Sequence, residues 1–399
     1  MKITFLGDIM CEPSVLKAYR QNDGSYNFDG LFTRVKPMLA ESDYVISNLE
    51  FPMAGEANGG YTDTFYVFNA PDDFARATKD AGVDLISTIN NHTLDRGPAG
   101  MLRTLEALDQ AGLPHTGSFD PKKGREEAYY FELGGVKFAL IAYTYSTNKK
   151  IPKDHELYPM LNYLRDPTMP TYTPEVSKQM RTWVDKVFPK MKQEHRSLIK
   201  MCVGLPNTLP RADDYLDKEG IAPYVAQCQA DIRAAKEKAD FVIFYPHTGG
   251  QFNPQPGKFS QYITEKALEA GADAIIASHS HMVQKAEWIN GVPVAWSLGN
   301  FSMSPNSTII AKQHLPEYGL AFHMYFEGNK VVKTTVSILK AVEKRGKPMV
   351  SWPVDALYEA LPTQKEKEKL LRDVRQVLGY LFDGKYEGET ICAEYPLNP

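Results

Sequence analysis

The chain of 399 residues has few cysteines, no long apolar run and no excess of positive charge. Its cysteines (Cys11, Cys202, Cys228 and Cys392) are scattered without a CxxC pair, so we expect reduced thiols rather than a disulfide framework. No stretch approaches the ~20 apolar residues that span a bilayer. A net charge of −4 argues against binding nucleic acid through its phosphates.

The start of the sequence also lacks the pattern of a secretory signal peptide. Lys2 is followed by only four apolar or neutral residues before Gly7 and Asp8, which is too short for the apolar core of such a peptide. We therefore expect a cytoplasmic protein without a membrane span. The alternative is a truncated chain that acts outside the cell.

What the sequence does contain is an ordinary globular composition and five short apolar runs. Hydrophobic residues make up 43% and charged residues 24%, which is typical of a protein that buries a sizeable core. Each run has the length and the Ile, Val, Leu and Phe content of a buried strand. The runs are residues 3–6, 44–46, 83–89, 241–245 and 274–277.

Each apolar run is followed by residues that commonly bind metal ions. The carboxyl ends of strands in an open α/β sheet face a common crevice, so we expect these side chains to form one metal centre. His279 and His281 form the strongest local motif, because residues two apart in an extended segment face the same way. The full set is Asp8, Glu50, Asn91, His92, His247, His279 and His281.

Nitrogen and oxygen ligands without a thiolate favour zinc, manganese or iron over calcium. The number of ligands allows one or two divalent ions. Two ions in one site would hold a bridging water and lower its pKa toward neutrality. The sequence therefore predicts hydrolytic chemistry at a phosphate or a carbonyl group.

Between the runs the sequence alternates between helix and strand patterns. Hairpins are predicted where two turn-forming residues separate apolar segments, at Gly134-Gly135, Asn290-Gly291 and Gly328-Asn329. Alternating strands and helices predict an α/β fold in which helices cover a mixed sheet. Residues 146–235 break this pattern with frequent prolines and are interpreted as an inserted helical and loop segment.

The last part of the chain, residues 337–399, is predicted to be a C-terminal helical appendage. Its helix is expected over residues 363–381, where Leu370, Val374 and Leu378 make an apolar face. Thr363 and Glu366 have the spacing of a capping box at the start of this helix.

Taken together, the motifs resemble those of the CapA family of capsule and poly-γ-glutamate synthesis proteins. The resemblance covers roughly residues 1–305 without the segment 146–235. It implies the fold of calcineurin-like metallophosphoesterases, a four-layer α/β/β/α sandwich, over a domain at residues 1–336. The matching motifs are Gly7-Asp8, Asn48-Leu49-Glu50, Asn90-Asn91-His92 with Asp95 and Gly97, His247 with Gly249, Ser278-His279-Ser280-His281 and Ser297-Leu298-Gly299-Asn300-Phe301.

The resemblance also implies a role for each candidate metal ligand. Asp8 and His281 would bind one ion, and Glu50 would bridge it to a second ion. The other ligands of the second ion would be Asn91, His247 and His279.

The same resemblance leaves His92 unligated, to stabilise charge or to protonate a leaving group, with Asp95 orienting it. The chain departs from the wider superfamily at three positions. Met10 replaces a histidine, Glu50 replaces an aspartate, and Thr248 replaces a tryptophan that is common in the family. The replacement at Met10 leaves the first ion with fewer ligands.

Two functions stay open at this stage. One is a metal-dependent hydrolase, in which activated water attacks a phosphoester or a γ-glutamyl-type amide of a small or polymeric anionic substrate. The other is a non-catalytic protein that binds or assembles an anionic polymer, which the replacement at Met10 favours and the retained His92 disfavours.

Basic residues in and near the inserted segment predict a positive rim around the cleft for an anionic substrate. The equally open alternative is that they are solvated surface charges, as lysines usually are. The residues are Arg96, Arg125, Lys149, Lys150, Lys153 and Arg165.

Overall fold

A computed structural model describes residues 1–63, 67–170, 182–191, 193–203, 205, 212–307, 311–344 and 347–397. Its strands are β1 (Lys2–Leu6), β2 (Tyr44–Asn48), β3 (Leu85–Ser87), β4 (His115–Thr116), β5 (Tyr129–Leu133), β6 (Val136–Thr144), β7 (Phe241–His247), β8 (Ala274–Ile276), β9 (Ala286–Ile289), β10 (Val292–Ala295), β11 (Tyr318–Glu327), β12 (Lys330–Val342), β13 (Val350–Pro353) and β14 (Tyr395–Leu397). They form two sheets, in the orders β13-β12-β11-β1-β2-β3-β4, with β14 also paired to β12, and β5-β6-β7-β8-β10-β9. The three predicted hairpins are confirmed as β5–β6, β9–β10 and β11–β12.

The α-helices that the structure describes are Pro13–Tyr19, Asp29–Phe32, Lys36–Leu39, Asp73–Asp80, Gly97–Ala111, Trp183–Val187, Gln193–Cys202, Lys218–Lys236, Lys258–Ala270, Val354–Ala360 and Gln364–Leu381. Short 3₁₀ helices lie at Tyr158–Met160, Ala212–Asp214 and Lys312–His314. None of these helices combines the length and the apolar composition that a membrane crossing requires.

The two sheets pack face to face through large apolar side chains. Phe5 of β1 stacks on Tyr245 of β7 with ring centroids 6.2 Å apart, and Phe138 of β6 meets the edge of Phe326 of β11 at 5.2 Å. These rings belong to one buried cluster that draws residues from both sheets. Removing this apolar surface from water is the main force that holds the sheets together.

Helices cover the outer face of each sheet. Successive residues of a strand face opposite sides, so Ile46 points into the cluster between the sheets while Val45 packs under the N-terminal helices. On the second sheet, Val242 packs with Ile232 and Ile263 of the helices Lys218–Lys236 and Lys258–Ala270. The expected four-layer α/β/β/α architecture is confirmed.

Parallel pairing brings the site-bearing ends of the strands to one edge. β1, β2 and β3 run parallel to one another, as do β6, β7 and β8. Isolated bridges tie the loops together beyond the strand ends, for example Asp8 with Asn300 and His247 with Ser278. The loops that carry the predicted ligands therefore leave the two sheets side by side.

The C-terminal part of the chain continues the first sheet. β12 runs across residue 336, and both β13 and β14 pair with it, while the division of the chain at that residue stays a prediction. The helix expected over 363–381 begins at Gln364, and Thr363 accepts a hydrogen bond from the Glu366 N–H at 3.2 Å. Val374 and Leu378 of this helix pack into the cluster between the sheets.

The predicted insertion lies between β6 and β7, and its residues 171–181, 192, 204 and 206–211 lie outside the described residues. Its last helix, Lys218–Lys236, supplies part of the outer layer of the second sheet. Arg125 pairs with Asp231 of this helix and donates a hydrogen bond to Tyr143 of β6 at 2.8 Å. The end of the segment is therefore fixed to the sandwich by apolar and charged contacts.

Gly7 lies so close to the backbone of Gly299 that there is no room for a side chain. A Cβ at this position would lie 2.9 Å from the Gly299 carbonyl carbon and closer still to its oxygen, and backbone atoms cannot rotate away. We expect Gly7→Ala to lower the free energy of unfolding by about 1–3 kcal/mol through overpacking, as measured by urea denaturation.

The matched control is Gly379→Ala in the helix Gln364–Leu381. A Cβ there meets no atom within 4 Å, so alanine should be neutral or should stabilise the protein by up to about 1 kcal/mol. An unchanged unfolding free energy for Gly7→Ala would contradict the close approach of these two loops.

Candidate metal centre

Buried carboxylates and imidazoles converge where the strands end. Two groups have ligand atoms within 4.8 Å of one another, namely Glu50 with His247 and His279, and Asp8 with Glu50 and His281. Glu50 belongs to both groups. The structure thus brings together five of the six residues predicted as ligands, in the two sets that the resemblance implies.

The sixth predicted ligand, Asn91, joins the first group. Its Oδ1 lies 2.8 Å from His247 Nε2, and His279 Nδ1 lies 3.1 Å from the same nitrogen. Two nitrogens bound to one tetrahedral zinc ion at ~2.05 Å would be about 3.3 Å apart. The spacing of these atoms therefore suits donors that share a metal ion.

Glu50 lies between the two groups. Its Oε1 is 3.5 Å from His247 Nε2 and also 3.5 Å from His281 Nε2. Asp8 lies near the Nδ1 atoms of the same two rings, with Oδ1 3.9 Å from His247 Nδ1 and Oδ2 4.0 Å from His281 Nδ1. A carboxylate equally distant from an imidazole of each group has the position that a bridging ligand requires.

The Glu50 carboxyl is buried and makes no hydrogen bond to the described residues. Burial, with the nearby Asp8 carboxylate, raises the pKa of Glu50 to about 8. A buried polar group without a partner is costly, and a divalent cation would supply the missing partner, so the residues fit a metal ion.

The buried imidazoles are in the form that binds metals. Burial lowers the pKa of His247 to about 4. The pKa of His279 is also lowered by burial and by the neighbouring imidazoles of His247 and His281. Both rings are therefore neutral at neutral pH, and a neutral imidazole has the free lone pair that coordination requires.

The backbone at the His279 and His281 motif is left-handed, so the expectation of an extended segment is wrong. Their φ angles are 106° and 54°, a region that costs non-glycine residues on the order of 1–3 kcal/mol. The Asp8 carboxylate holds this turn, because its Oδ2 accepts a hydrogen bond from the His279 N–H at 3.1 Å. The two rings converge because the chain turns between them.

Asn300 fixes the tautomer of His281. Its Nδ2 donates hydrogen bonds to the carbonyl oxygens of His281 and Pro316, at 3.0 and 2.8 Å, so its Oδ1 must be the acceptor. That oxygen lies 2.9 Å from His281 Nδ1, which then carries the proton. The lone pair of His281 is left on Nε2, the atom that faces Glu50.

A chain of asparagine amides connects the other loops. Asn48 Nδ2 donates to Asp8 Oδ1 at 2.7 Å, and Asn90 Nδ2 donates to Asn48 Oδ1 at 3.1 Å. Asn90 Oδ1 accepts from the His92 N–H at 3.0 Å. No role was predicted from the sequence for Asn48, Asn90 or Asn300. For Asn48 and Asn90 the signal was their position within two residues of the predicted ligands Glu50 and Asn91.

His92 is held by Asp95, as the sequence predicts. His92 Nδ1 lies 2.6 Å from Asp95 Oδ2, which also accepts a hydrogen bond from the Phe68 N–H at 2.8 Å. Burial lowers the pKa of His92, but the carboxylates of Asp95 and Glu50 outweigh it, so the net pKa is raised. Nε2 makes no hydrogen bond within the described part of the chain and is left for a ligand.

Met10 does not take part in the metal centre. Its side chain is buried in the apolar cluster under the N-terminal helices, together with Phe301 and Met303. The position therefore contributes to the apolar packing, and the second group has three side-chain donors among the described residues, Asp8, Glu50 and His281.

Two of the six residues of the predicted positive rim form ion pairs with carboxylates of this chain. Arg125 pairs with Asp231, and Lys153 lies 2.6 Å from Asp166. Arg96 donates to backbone carbonyl oxygens at 3.2 and 3.0 Å. The remaining basic residues of the set are Lys149, Lys150 and Arg165.

Comparisons with known proteins agree with the motifs. A sequence model described as "Bacterial capsule synthesis protein PGA_cap" matches residues 2–304. The chain is 24% identical over 321 residues to the PGA biosynthesis protein CapA of Bacillus subtilis (strain 168), covering 80% of this chain and 68% of that protein. It is 24% identical over 322 residues to the capsule biosynthesis protein CapA of Bacillus anthracis, covering 80% and 64%. The chain thus spans about two thirds of the length of these relatives.

Among solved structures, the chain is similar to a putative 5'-nucleotidase from Staphylococcus aureus in complex with alpha-ketoglutarate. The TM-score is 0.42 at 12% sequence identity, over 93% of this chain and 57% of that one.

The unpartnered carboxyl of Glu50 leads to a test by thermal unfolding. Saturating Mn²⁺ or Zn²⁺ should raise the melting temperature of the wild type, because a ligand that binds only the folded state stabilises it, by ~2.7 kcal/mol at 100 times Kd. Glu50→Gln keeps the size of the side chain but should lose most of this gain. Equal metal-induced shifts in both proteins would contradict a bridging role for Glu50.

Asn300→Ala should weaken metal binding by about 10- to 100-fold, as expected for removal of a group that orients a ligand. Titration of the metal-free protein with Zn²⁺ measures this. Asn306→Ala is the control, because the exposed Asn306 side chain donates to the Glu343 carboxylate at the surface. Wild-type affinity in folded Asn300→Ala would show that His281 needs no fixed tautomer.

Proposed function

This chain belongs to the PGA_cap family of bacterial capsule synthesis proteins, part of the metallophosphoesterase-like superfamily, and we propose that it is a metal-dependent hydrolase in capsule or poly-γ-glutamate metabolism. The proposed substrate is an anionic small molecule or polymer with a phosphoester or a γ-glutamyl-type amide. The observation that carries the proposal is the buried, unpartnered Glu50 carboxyl shared by two groups of ligand atoms, with His92 beside them.

We propose that the two groups hold divalent ions, with zinc, manganese and iron the metals that such donors favour. When bound, an ion of this kind activates water and neutralises the charge that develops on an oxygen in hydrolysis. Asp8, Glu50 and His281 would give one ion three protein ligands, which is the number at catalytic zinc sites that keep a position open. The other ion would be held by Glu50 with Asn91, His247 and His279.

His92 is the residue that we assign to proton transfer. Asp95 holds Nδ1 at 2.6 Å, which sets the orientation of the ring and leaves Nε2 for the substrate. In that position Nε2 would donate a proton to the leaving group or stabilise negative charge on it. Asn90, which accepts from the His92 N–H, would keep this imidazole in register with the ligand-bearing loops.

The second candidate function is a non-catalytic protein that binds or assembles an anionic polymer. The curated relatives carry names that refer to capsule and PGA biosynthesis, and an assembly protein would fit such names as well as a hydrolase would. The His92–Asp95 pair favours the hydrolase, because a metal site used only for binding has little need of an oriented, unligated imidazole.

Activity assays separate the two candidates. Protein loaded with Mn²⁺, Zn²⁺ or Fe²⁺ is tested with p-nitrophenyl phosphate, bis(p-nitrophenyl) phosphate and γ-glutamyl p-nitroanilide. Turnover that is lost on chelation and restored by metal supports the hydrolase. Full metal content without turnover of any of these substrates, combined with saturable binding of poly-γ-glutamate, favours the binding protein.

His92→Ala should lower kcat by about 10²- to 10⁴-fold, the usual contribution of a positioned acid or base, with metal content unchanged. Metal content is measured by elemental analysis of the same sample. The control is His195→Ala, at an exposed position in the inserted segment. Loss of metal together with activity in His92→Ala would instead make His92 a ligand, and wild-type kcat would remove it from the chemistry.

A further inference from the structure

The start of the inserted segment lies directly against the metal centre. The Asn148 N–H donates to the carbonyl oxygen of the predicted ligand Asn91 at 2.6 Å. The ring of Tyr145 packs on the ring of His279, with centroids 4.5 Å apart. Tyr145 and Asn148 therefore lie against the predicted ligands, and Lys150 follows two positions after Asn148.

Arg165 reaches Tyr145 from further along the segment. Its guanidinium lies 5.3 Å from the Tyr145 ring and 5.5 Å from the Phe259 ring, so a single aromatic ring separates it from His279. Nε donates to the Tyr145 carbonyl oxygen at 3.1 Å, and Nη1 donates to the Pro170 carbonyl oxygen at 3.2 Å. These contacts hold the charge in place without neutralising it.

Burial lowers the pKa of Arg165, and the nearby Asp213 and Asp166 carboxylates offset this effect only in part. The side chain is only 3% exposed, yet no described acidic group forms an ion pair with it, and Nη2 is buried without a partner in the described ranges. Buried arginines are almost always paired, since removing a charge from water costs several kcal/mol.

Lys150, whose side chain is exposed, is a second cation without an ion pair among the described residues. Its Nζ donates to Ser146 Oγ at 2.8 Å and to the Thr147 carbonyl oxygen at 2.7 Å. An ammonium has three donors, so one is left, and within the described chain no carboxylate pairs with it. Partial burial and the nearby Arg165 lower the pKa of Lys150 to about 8, which leaves the side chain mostly charged at neutral pH.

We propose that Lys150 and Arg165 form a receptor for an oxyanion of the substrate, a carboxylate or a phosphate that is separate from the bond to be cleaved. Lys150 contacts the oxyanion through its remaining donor, and the buried charge of Arg165 strengthens the attraction. A bound anion relieves the repulsion between the two cations, and charge-assisted hydrogen bonds are the strong ones. That the bound anion belongs to a substrate rests on the proposed hydrolase, whereas a binding protein would use the same receptor for its ligand.

This receptor makes the inserted segment the part of the chain that selects the substrate. A γ-glutamyl compound would present its α-carboxylate, and a phosphorylated compound would present a phosphate. In either case the selected group is an anion near the metal centre, and a neutral analogue loses its charge-assisted contacts.

The experiment compares ligands that differ by one charge, using the full metal-loaded chain. γ-Glutamyl p-nitroanilide and 4-aminobutyryl p-nitroanilide differ only in the α-carboxylate, and inorganic phosphate is the phosphate probe. Calorimetric titration at low salt is made on the wild type, Lys150→Gln, Arg165→Gln and the control Lys149→Gln. Lys149 is an exposed neighbour of Lys150, so Lys149→Gln removes the same charge from the same surface.

Lys150→Gln should weaken binding of γ-glutamyl p-nitroanilide by about tenfold and should not weaken binding of 4-aminobutyryl p-nitroanilide, which keeps the ammonium but lacks the carboxylate. The loss should shrink as salt increases. Loss confined to phosphate would identify a phosphate as the selected group and would equally support the receptor. Arg165→Gln should weaken binding of the same anionic probe that Lys150→Gln binds less tightly.

Other results would overturn the receptor. Unchanged binding of both anionic probes to Lys150→Gln would do so, as would an equal loss in Lys149→Gln, which would indicate a general surface field. Arg165→Gln could instead lower the melting temperature while Lys150→Gln binds the probes like the wild type. That combination would show that Arg165 has only a structural role, as a support for Tyr145. Charge-dependent binding without turnover in the wild type contradicts the hydrolase and leaves the receptor intact.

Discussion

The structure depends on one electrostatic constraint, the burial of two carboxylates at the ends of neighbouring strands. Asp8 is stabilised by the Asn48 amide and the His279 N–H. Glu50 has no such donor among the described residues and lies 3.5 Å from Nε2 of both His247 and His281. An isolated buried carboxylate is costly, and a cation bound by the loops around Glu50 would remove that cost.

This constraint explains features that a stable apolar core would avoid. The backbone is held in left-handed conformations at His279 and His281, and asparagine amides are buried in a chain between the loops. Close packing at Gly7 against the Gly299 carbonyl keeps the same loops in register. Strain and buried polar networks of this kind collect at functional sites, where the rest of the fold supplies the stability.

The inserted segment adds charge to a site that the sandwich forms. The metal centre lies on strand ends of the two sheets, whereas Lys150 and Arg165 come from the connection between β6 and β7. Rigid layers therefore set the positions of the ligands, and the connection is free to determine which anion approaches them. This division of labour is common in α/β folds, in which binding residues lie on loops that a scaffold holds.

Local patterns in the sequence were sufficient for the strands, the hairpins and the types of ligand. Buried strands are short apolar runs and turns need particular residues, as at Gly134-Gly135 and Asn290-Gly291, so these features depend on near neighbours alone. The motifs around Glu50 and His92 were also sufficient for the family. The direction of a side chain was harder to predict, since Met10 faces the apolar cluster and His279 turns through a left-handed backbone.

Contacts between distant parts of the chain were decided only by the tertiary structure. Arg125 is paired with Asp231, 106 positions away, so it does not serve as a free charge on the rim. Asn300 orients His281 from a different loop, one that also forms a bridge with Asp8. No local periodicity encodes such partners, because they depend on which loops the parallel sheets bring to the same edge. The sequence by itself determined which chemical groups are present at the strand ends, and the packing of the two sheets decided which of them are paired, strained or left free to bind.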